Sequence, residues 1–255
     1  MRFWERIKQG FYEYLSSRGY TCDVCGAEVF DYLNNRLCDD CLSSLSKNEE
    51  KHCEKCGRHT LADGICLTCK REMPKFKQGF SPLIYRGETA SVVNRMKNGN
   101  PRLALWLGET AAEYFLAHYA DVENFKAGGE TLLLLSVPLT LAKQKQRGYN
   151  QAEELAKSVC KRLKAHGVQV ELCTDVLERL RDSEEQKHMG FEERHSTASA
   201  VYHVHRRKAC RDRTVLLIDD IMTTGATGSA CAARLYGAGA KAVLFLTATA
   251  LPEQK

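Results

Sequence analysis

The chain has 255 residues, of which 44% are hydrophobic and 27% are charged, and these proportions exclude a wholly disordered protein. At about 150 residues per domain, the length favours one or two domains. The formal net charge is only +5, and no apolar run approaches the roughly 20 residues that span a bilayer, so we expect no transmembrane segment.

Residues 1–21 predict a short amphipathic helix. Phe3, Ile7, Phe11 and Tyr14 fall at helical spacing, which favours a helix that packs on its own protein over one that lies on a membrane surface. The segment lacks the continuous apolar core and the small-residue cleavage site of a secretory signal. We therefore expect a cytoplasmic protein.

The cysteines are concentrated after this helix. Eight of the 12 lie before residue 70 in C-x-x-C pairs, namely Cys22 with Cys25, Cys38 with Cys41, Cys53 with Cys56, and Cys66 with Cys69. Without a secretory signal, repeated C-x-x-C pairs favour tetrahedral zinc over a disulfide scaffold. Gly26 and Gly57 directly follow two of the pairs and tolerate the positive φ of a zinc-binding turn. The pattern predicts a small double zinc ribbon over residues 22–75.

The four pairs can form two zinc sites in two ways. Sequential pairing places the first two pairs on one ion and the last two on the other, whereas interleaving produces a cross-brace. Sequential pairing is favoured, because 12 residues separate Cys25 from Cys38 and nine separate Cys56 from Cys66, which are hairpin lengths. The spacing alone does not exclude the cross-brace.

Both zinc sites are expected to be structural. Four cysteines on each ion leave no open position for catalysis, and a segment of about 50 residues builds little core without a metal. Eight thiolates and two Zn²⁺ together add four negative charges, which lowers the formal net charge from +5 to +1. The overall charge therefore gives no argument for nucleic-acid binding.

Helical and strand patterns alternate through residues 80–255, which predicts an α/β domain with a parallel sheet flanked by helices. Helices are predicted at 88–97, 101–119 and 150–166, the last capped by Asn150, and a fourth ends near residue 236. Strands are predicted at 131–137, 170–177, 201–204, 215–218 and 242–247. A basic loop at 138–148 and a polar loop at 181–195 connect them.

The chemistry is concentrated in residues 215–227, which read VLLIDDIMTTGAT. Four apolar residues predict a buried strand that is followed by Asp219 and Asp220, and ligands bind at this end of a parallel sheet. A hydroxyl-rich turn with one glycine then opens a helix, and its free N–H groups form an anion-binding nest. One loop thus offers phosphate donors beside carboxylate acceptors for sugar hydroxyls.

This stretch resembles the loop that binds phosphoribosyl diphosphate (PRPP) in type I phosphoribosyltransferases. The resemblance implies that fold, with Mg²⁺ bound together with PRPP. It assigns Asp219 and Asp220 as catalytic residues that hold the ribose 2′- and 3′-hydroxyls. It also assigns the cradle of the 5′-phosphate to Thr223, Thr224, Gly225, Ala226 and Thr227.

A double zinc ribbon before such a domain resembles the ComF family, which is associated with DNA uptake in natural competence. The family's R-G-F/Y-N-Q segment reads RGYNQ at 147–151. Its R…Q…E-R-x-x-N pattern reads Arg179, Gln186, Glu193, Arg194 and Thr197, with threonine where the family has asparagine.

Two further loops are candidates for substrate contact. The basic loop 138–148 follows a core strand where type I enzymes bind diphosphate, so Lys143 and Arg147 are predicted to bind substrate. The polar loop is flanked by Arg179, Arg181 and Arg194, and is interpreted either as a lid over the substrate or as a plain connection.

Three hypotheses about function follow. The first is a phosphoribosyltransferase that releases diphosphate from PRPP. The second is a non-catalytic competence module that reuses the PRPP pocket to bind single-stranded DNA or a helicase. The third is a PRPP sensor without catalysis. Turnover of PRPP supports the first, and strongly salt-dependent DNA binding supports the second.

Overall fold

The computed structural model describes residues 21–29, 37–49, 51–180 and 201–253. The predicted N-terminal helix and the polar loop at 181–195 lie outside these residues, as do the predicted family positions Gln186, Glu193, Arg194 and Thr197. The chain divides into two compact units, Met1–Leu45 and Ser46–Lys255.

The first unit carries the first two C-x-x-C pairs. Its first pair lies in a tight turn that is closed by an antiparallel bridge between Thr21 and Glu28. Its second pair lies at the start of helix α1, Asp39–Ser44, for which Cys38 is the N-terminal cap residue.

The second unit begins with the other two pairs and continues into the α/β domain. Helix α2, Leu67–Arg71, carries Cys69. The longer helices are α3 (Gly87–Lys97), α4 (Leu103–His118), α6 (Gln151–Ala165) and α8 (Ala226–Gly237). The shorter ones are a 3₁₀ turn at Val122–Phe125, α5 (Leu141–Arg147) and α7 (Arg207–Cys210).

A parallel sheet forms the centre of the second unit. Its strands are β1 (Gln78–Phe80), β2 (Leu83–Ile84), β3 (Leu132–Ser136), β4 (Val170–Cys173), β7 (Thr214–Met222) and β8 (Ala242–Ala250). Their order is β1-β8-β7-β3-β4, with β2 also on β8. Strands β5 (Leu177–Arg179) and β6 (Tyr202–Val204) form a separate antiparallel pair. The predicted parallel sheet flanked by helices is confirmed.

The two faces of the sheet bury different elements. Helices α4 and α6 pack together closely on one face, where a Cβ on Gly108 would lie 2.6 Å from the Cβ of Ser158. The opposite face packs against α8, the β5–β6 pair and the second set of cysteines in one apolar cluster. Among the described residues, no helix is long and apolar enough to cross a membrane.

Three expectations about local structure were wrong. The strand expected at 215–218 runs on to Met222, because β8 pairs with it up to the Met222–Ala250 register. The strand expected at 170–177 breaks after Cys173, where the chain leaves the sheet for the β5–β6 pair. The expected basic loop contains helix α5, because the Thr140 hydroxyl caps the N–H of Lys143 and Gly148 ends the helix at φ 79°.

Candidate functional site

Strands β3 and β7 form the centre of the candidate site. They are parallel neighbours with Ser136 opposite Ile218, and the Val137 N–H donates to the Ile218 carbonyl at 2.8 Å. From β3 the chain continues outward to β4, and from β7 it continues in the opposite direction to β8. This is the switch point of the sheet, where ligands bind in open α/β folds.

Asp219 and Asp220 lie within strand β7, near its carboxyl end, rather than after it. Successive side chains of a strand start on opposite faces, yet the two carboxyl groups still interact with each other, and Lys97 acts on both of them. The Asp219 side chain accepts the N–H of Asp220 at 2.9 Å, and the Thr249 hydroxyl donates to the Asp220 carbonyl at 3.2 Å. The pair is thus rigidly held by the sheet.

Sequence reasoning missed Lys97, the last residue of helix α3. Its Nζ lies 3.1 Å from Oδ2 of Asp220, and both side chains are largely buried. The two residues are 123 positions apart in the chain, so no local pattern signals the contact. The ion pair thus places a positive charge beside Asp220 near the carboxyl end of β7.

Asp219 lies in a less favourable environment. Burial, and then the charge of Asp220, raise the pKa of Asp219 well above its usual range, although Lys97 acts in the opposite direction. Two adjacent carboxylates with one lysine form a site that a hard, oxygen-preferring cation such as Mg²⁺ fits, because the cation relieves their repulsion.

The Asp219→Asn variant is expected to be more stable than the wild type at neutral pH. The unfolded chain releases this proton near 3.8 and the folded protein only at higher pH, so the wild type loses stability as pH rises through that window. Removing the charge should add on the order of 1 kcal/mol, or about 2–4 °C in Tm. Urea unfolding at several pH values measures this, with the difference widening as pH rises. A variant that is less stable at pH 8 would contradict it.

The predicted phosphate loop, residues 223–227, follows β7 and leads into α8. Thr223 and Thr224 are exposed, Gly225 takes up φ 87°, and the Ala226 N–H donates to the Thr224 hydroxyl at 3.2 Å. The left-handed conformation at Gly225 is one that other residues rarely adopt. The loop then opens α8, whose first-turn N–H groups have no carbonyl four residues earlier to bind. It has the local form of an anion nest.

The RGYNQ segment connects the site to the sheet. The Asn150 amide donates to the Val137 carbonyl at 3.2 Å, and its oxygen accepts the Ala152 N–H at 3.0 Å. Asn150 is therefore the predicted N-cap of α6, and it also ties α6 to the end of β3. Burial raises the pKa of Tyr149. The charge of Arg147 acts to lower this pKa, whereas the charge of Asp220 acts to raise it.

The two basic residues predicted to bind substrate lie on helix α5. Lys143 is in its first turn and Arg147 is its last residue, and both are partly buried. Helix α5 follows β3 and so leaves the same edge of the sheet as the phosphate loop. Arg147 and Asp220 both lie close enough to Tyr149 for their charges to act on it.

The β5–β6 pair lies on the other side of the phosphate loop. The guanidinium of Arg179 lies 5.8 Å from the ring centroid of Tyr202, and Tyr202 is buried. Burial raises the pKa of Tyr202. The charge of Asp219 also acts to raise this pKa, whereas a hydrogen bond with Thr227 acts to lower it. Arg179 is the one member of the family's second pattern that the structure describes.

The structure gathers the eight N-terminal cysteines in two sets, Cys22, Cys25, Cys38 and Cys41, and Cys53, Cys56, Cys66 and Cys69. This is the sequential arrangement. Within each set the sulfurs lie within 4.8 Å of one another. Zn–S bonds of 2.3 Å at tetrahedral angles separate sulfurs by about 3.8 Å. The Cys25–Cys38 and Cys56–Cys66 sulfurs lie 3.5 and 3.8 Å apart, so both sets fit zinc.

Hydrogen bonds and charge also suit a metal in the second set. The sulfur of Cys53 accepts the N–H of Cys66 at 3.3 Å, as thiolate ligands commonly do. Neighbouring Cys53 and Cys56 hold the pKa of the Cys69 thiol far above its usual range, so a cation is needed to keep all four sulfurs as thiolates. These four residues are almost fully buried, whereas Cys25 of the first set is exposed.

Comparisons with known proteins were made on sequence and structure. No family model matches the chain. It is 23% identical over 201 residues to competence protein ComFC of Bacillus subtilis (strain 168), covering 76% of this chain and 75% of that protein. This similarity confirms the resemblance to the ComF family.

Several solved structures are also similar. The asparagine mutant from an analysis of an invariant aspartic acid in HPRTs is 11% identical, with a TM-score of 0.38 over 58% of this chain and 75% of that one. Hypoxanthine-guanine phosphoribosyltransferase from Schistosoma mansoni in complex with IMP is 13% identical, with a TM-score of 0.30 over 57% of this chain and 55% of that one.

Proposed function

We propose that this ComF-like protein, which carries a phosphoribosyltransferase-type domain, binds PRPP or a related ribose phosphate and acts in DNA uptake. The observation that carries the proposal is the carboxylate pair of β7 followed directly by an anion nest at the switch point of the sheet. Phosphate donors and sugar-hydroxyl acceptors then lie on one continuous segment.

Each part of the site is assigned a role. Asp219 and Asp220 accept the ribose hydroxyls, and the 5′-phosphate binds residues 223–227. Lys97 pairs with Asp220 and would orient its carboxylate toward the ribose. Arg147 and Lys143 provide positive charge for the diphosphate at the same edge of the sheet.

Catalysis would be mainly electrostatic and positional. Mg²⁺ bound together with PRPP would supply positive charge to the diphosphate. The partly buried Asp219 and the basic side chains of α5 would stabilise the opposite charges that develop on the ribose and on the leaving group.

A second candidate function is a DNA-binding competence module. Its support is the similarity to a competence protein, together with the basic composition of helix α5, which carries the exposed Lys145 as well as Lys143 and Arg147. The pocket would then grip the sugar–phosphate backbone of single-stranded DNA. Both functions suit the cytoplasm, where reducing conditions preserve cysteine ligands.

Calorimetric titration of the zinc-loaded protein with PRPP and Mg²⁺ tests the first function. We expect saturable binding that is stronger for PRPP than for ribose 5-phosphate, because only PRPP also reaches the basic residues of α5. Absence of binding would overturn the PRPP assignment. Titration with single-stranded DNA across a salt series then tests the second function, for which log affinity should fall linearly with log salt.

A further inference from the structure

The second cysteine cluster, Cys53, Cys56, Cys66 and Cys69, packs directly against the sheet of the α/β domain. A Cβ on Gly57 would lie 2.4 Å from the Gly79 carbonyl oxygen of β1, so the metal-binding turn and the sheet edge touch backbone to backbone. The Glu253 carboxylate also accepts the Leu67 N–H of α2 at 2.6 Å. The cluster and the sheet therefore move as one body.

Arg58 connects this cluster to the phosphate loop. The side chain is almost fully buried, at 4% exposure. Its Nε donates to the sulfur of Cys56 at 3.4 Å, and its Nη2 donates to the carbonyl oxygen of Thr223 at 2.7 Å. A buried guanidinium is costly unless it is paired, and four thiolates on one Zn²⁺ carry a net charge of −2 that pairs with it.

The contact with Thr223 bears on phosphate binding through the geometry of the peptide bond. In a trans peptide the carbonyl and the next N–H point in opposite directions. Holding the Thr223 carbonyl toward Arg58 therefore turns the Thr224 N–H away from the cysteine cluster. The orientation of one donor of the loop is thus set from outside the loop.

Two neighbouring residues reinforce this contact. A side chain on Gly225 would meet the ring of Phe76 at 3.8 Å, so that ring lies directly against the turn of the loop. The N–H of Lys75 donates to the Ser229 hydroxyl of α8 at 3.0 Å. Arg58, Lys75 and Phe76 come from the cysteine-rich segment and its linker, and they contact both ends of the loop.

We propose that Arg58 is a positioning residue through which the metal-loaded second cluster sets the conformation of loop 223–227 and its affinity for a phosphate ligand. The affinity part of this proposal rests on the proposed function. The conformational part does not, because the hydrogen bond from Arg58 to the loop is present in the structure without any ligand. Zinc at this cluster then serves the binding site as well as the fold.

The test uses the full zinc-loaded chain and three variants. Arg58→Met fills the volume without a donor, Arg58→Lys keeps the charge but reaches one acceptor at a time, and Arg71→Ala removes an exposed arginine from the same segment as a control. Zinc content is measured first, and all variants should hold two equivalents. Arg58→Lys takes the place of Arg58→Met if the latter loses zinc.

Amide hydrogen exchange across residues 223–229 is the first readout. We expect roughly tenfold faster exchange in Arg58→Met, a smaller change in Arg58→Lys, and none in Arg71→Ala, since a lost hydrogen bond from a charged donor is worth about that factor. Unchanged exchange with zinc retained would overturn the proposal. This readout stands even if the wild type fails to bind PRPP, which would overturn only the proposed function.

The second readout is spectroscopic. With Co²⁺ in place of zinc, PRPP and Mg²⁺ should shift the cobalt–thiolate absorption of the wild type but not of Arg58→Met, because coupling between two sites is reciprocal. The same variant should bind PRPP about tenfold more weakly. If Arg58→Met bound PRPP as tightly as the wild type and showed the same shift in cobalt–thiolate absorption, the role of Arg58 would be contradicted.

Discussion

Replacing both Asp219 and Asp220 with asparagine is expected to abolish PRPP binding while both zinc ions stay bound. Each carboxylate would lose a charged hydrogen bond worth roughly 1.5–3 kcal/mol, so the two together correspond to at least about a 100-fold loss of affinity. The substitution also leaves the largely buried Lys97 ammonium without its carboxylate partner. Calorimetry with PRPP and Mg²⁺, alongside zinc analysis, measures both effects.

The chain offers a matched control for this variant. Asp39 and Asp40 are also adjacent, but they are exposed in the first turn of α1 and belong to the other compact unit. Changing them to asparagine alters the net charge equally and should leave PRPP affinity unchanged. Retained binding in the Asp219/Asp220 variant would refute the assignment of the ribose site.

Cys69→Ser is expected to cost the second unit a large part of its stability. The sulfur is 2% exposed and belongs to the apolar cluster that also contains Phe76 and Phe245. Losing the metal would leave buried thiols without a cation and release the turn that packs against Gly79. A loss of about 4 kcal/mol would lower the Tm of a unit of this size by roughly 10 °C.

Cys41→Ser provides the comparison, because it removes a ligand from the first cluster. That cluster lies in the other compact unit and includes the exposed Cys25. We expect this variant to lose one zinc equivalent while the main calorimetric transition stays within about 2 °C of the wild type. Equal effects of the two substitutions would show that the second cluster has no special place in the core.

Sequence patterns predicted the features that depend on interactions between residues close together in the chain. The C-x-x-C spacing identified the cysteines that form the two clusters, because the geometry of one tight turn decides which two sulfurs meet. Asn150 was identified as an N-cap because capping involves only residues next to it in the chain. The apolar runs within 131–137 and 215–218 identified buried parallel strands, because both of their faces are covered.

Element ends were less predictable, since they depend on partners. Strand β7 continues through Asp219 and Asp220 to Met222 only because β8 extends alongside it to Ala250. This difference matters for the site, since side chains within a strand alternate between faces whereas those in a turn do not. Helix α5 was missed because its cap, Thr140, precedes a basic and strongly polar segment with little apolar periodicity.

The amino-acid sequence by itself determined the C-x-x-C pairs and the acidic pair before a hydroxyl-rich turn, because each is encoded within a few neighbouring residues. It determined the α/β class through the alternation of helical and strand patterns along residues 80–255. Only the tertiary structure decided that Lys97 pairs with Asp220, and that Arg58 contacts both Cys56 and Thr223, the latter 165 residues beyond Arg58 in the chain. Such contacts depend on which strands become neighbours in the sheet. That order is set by burial across the whole domain and not by any local pattern.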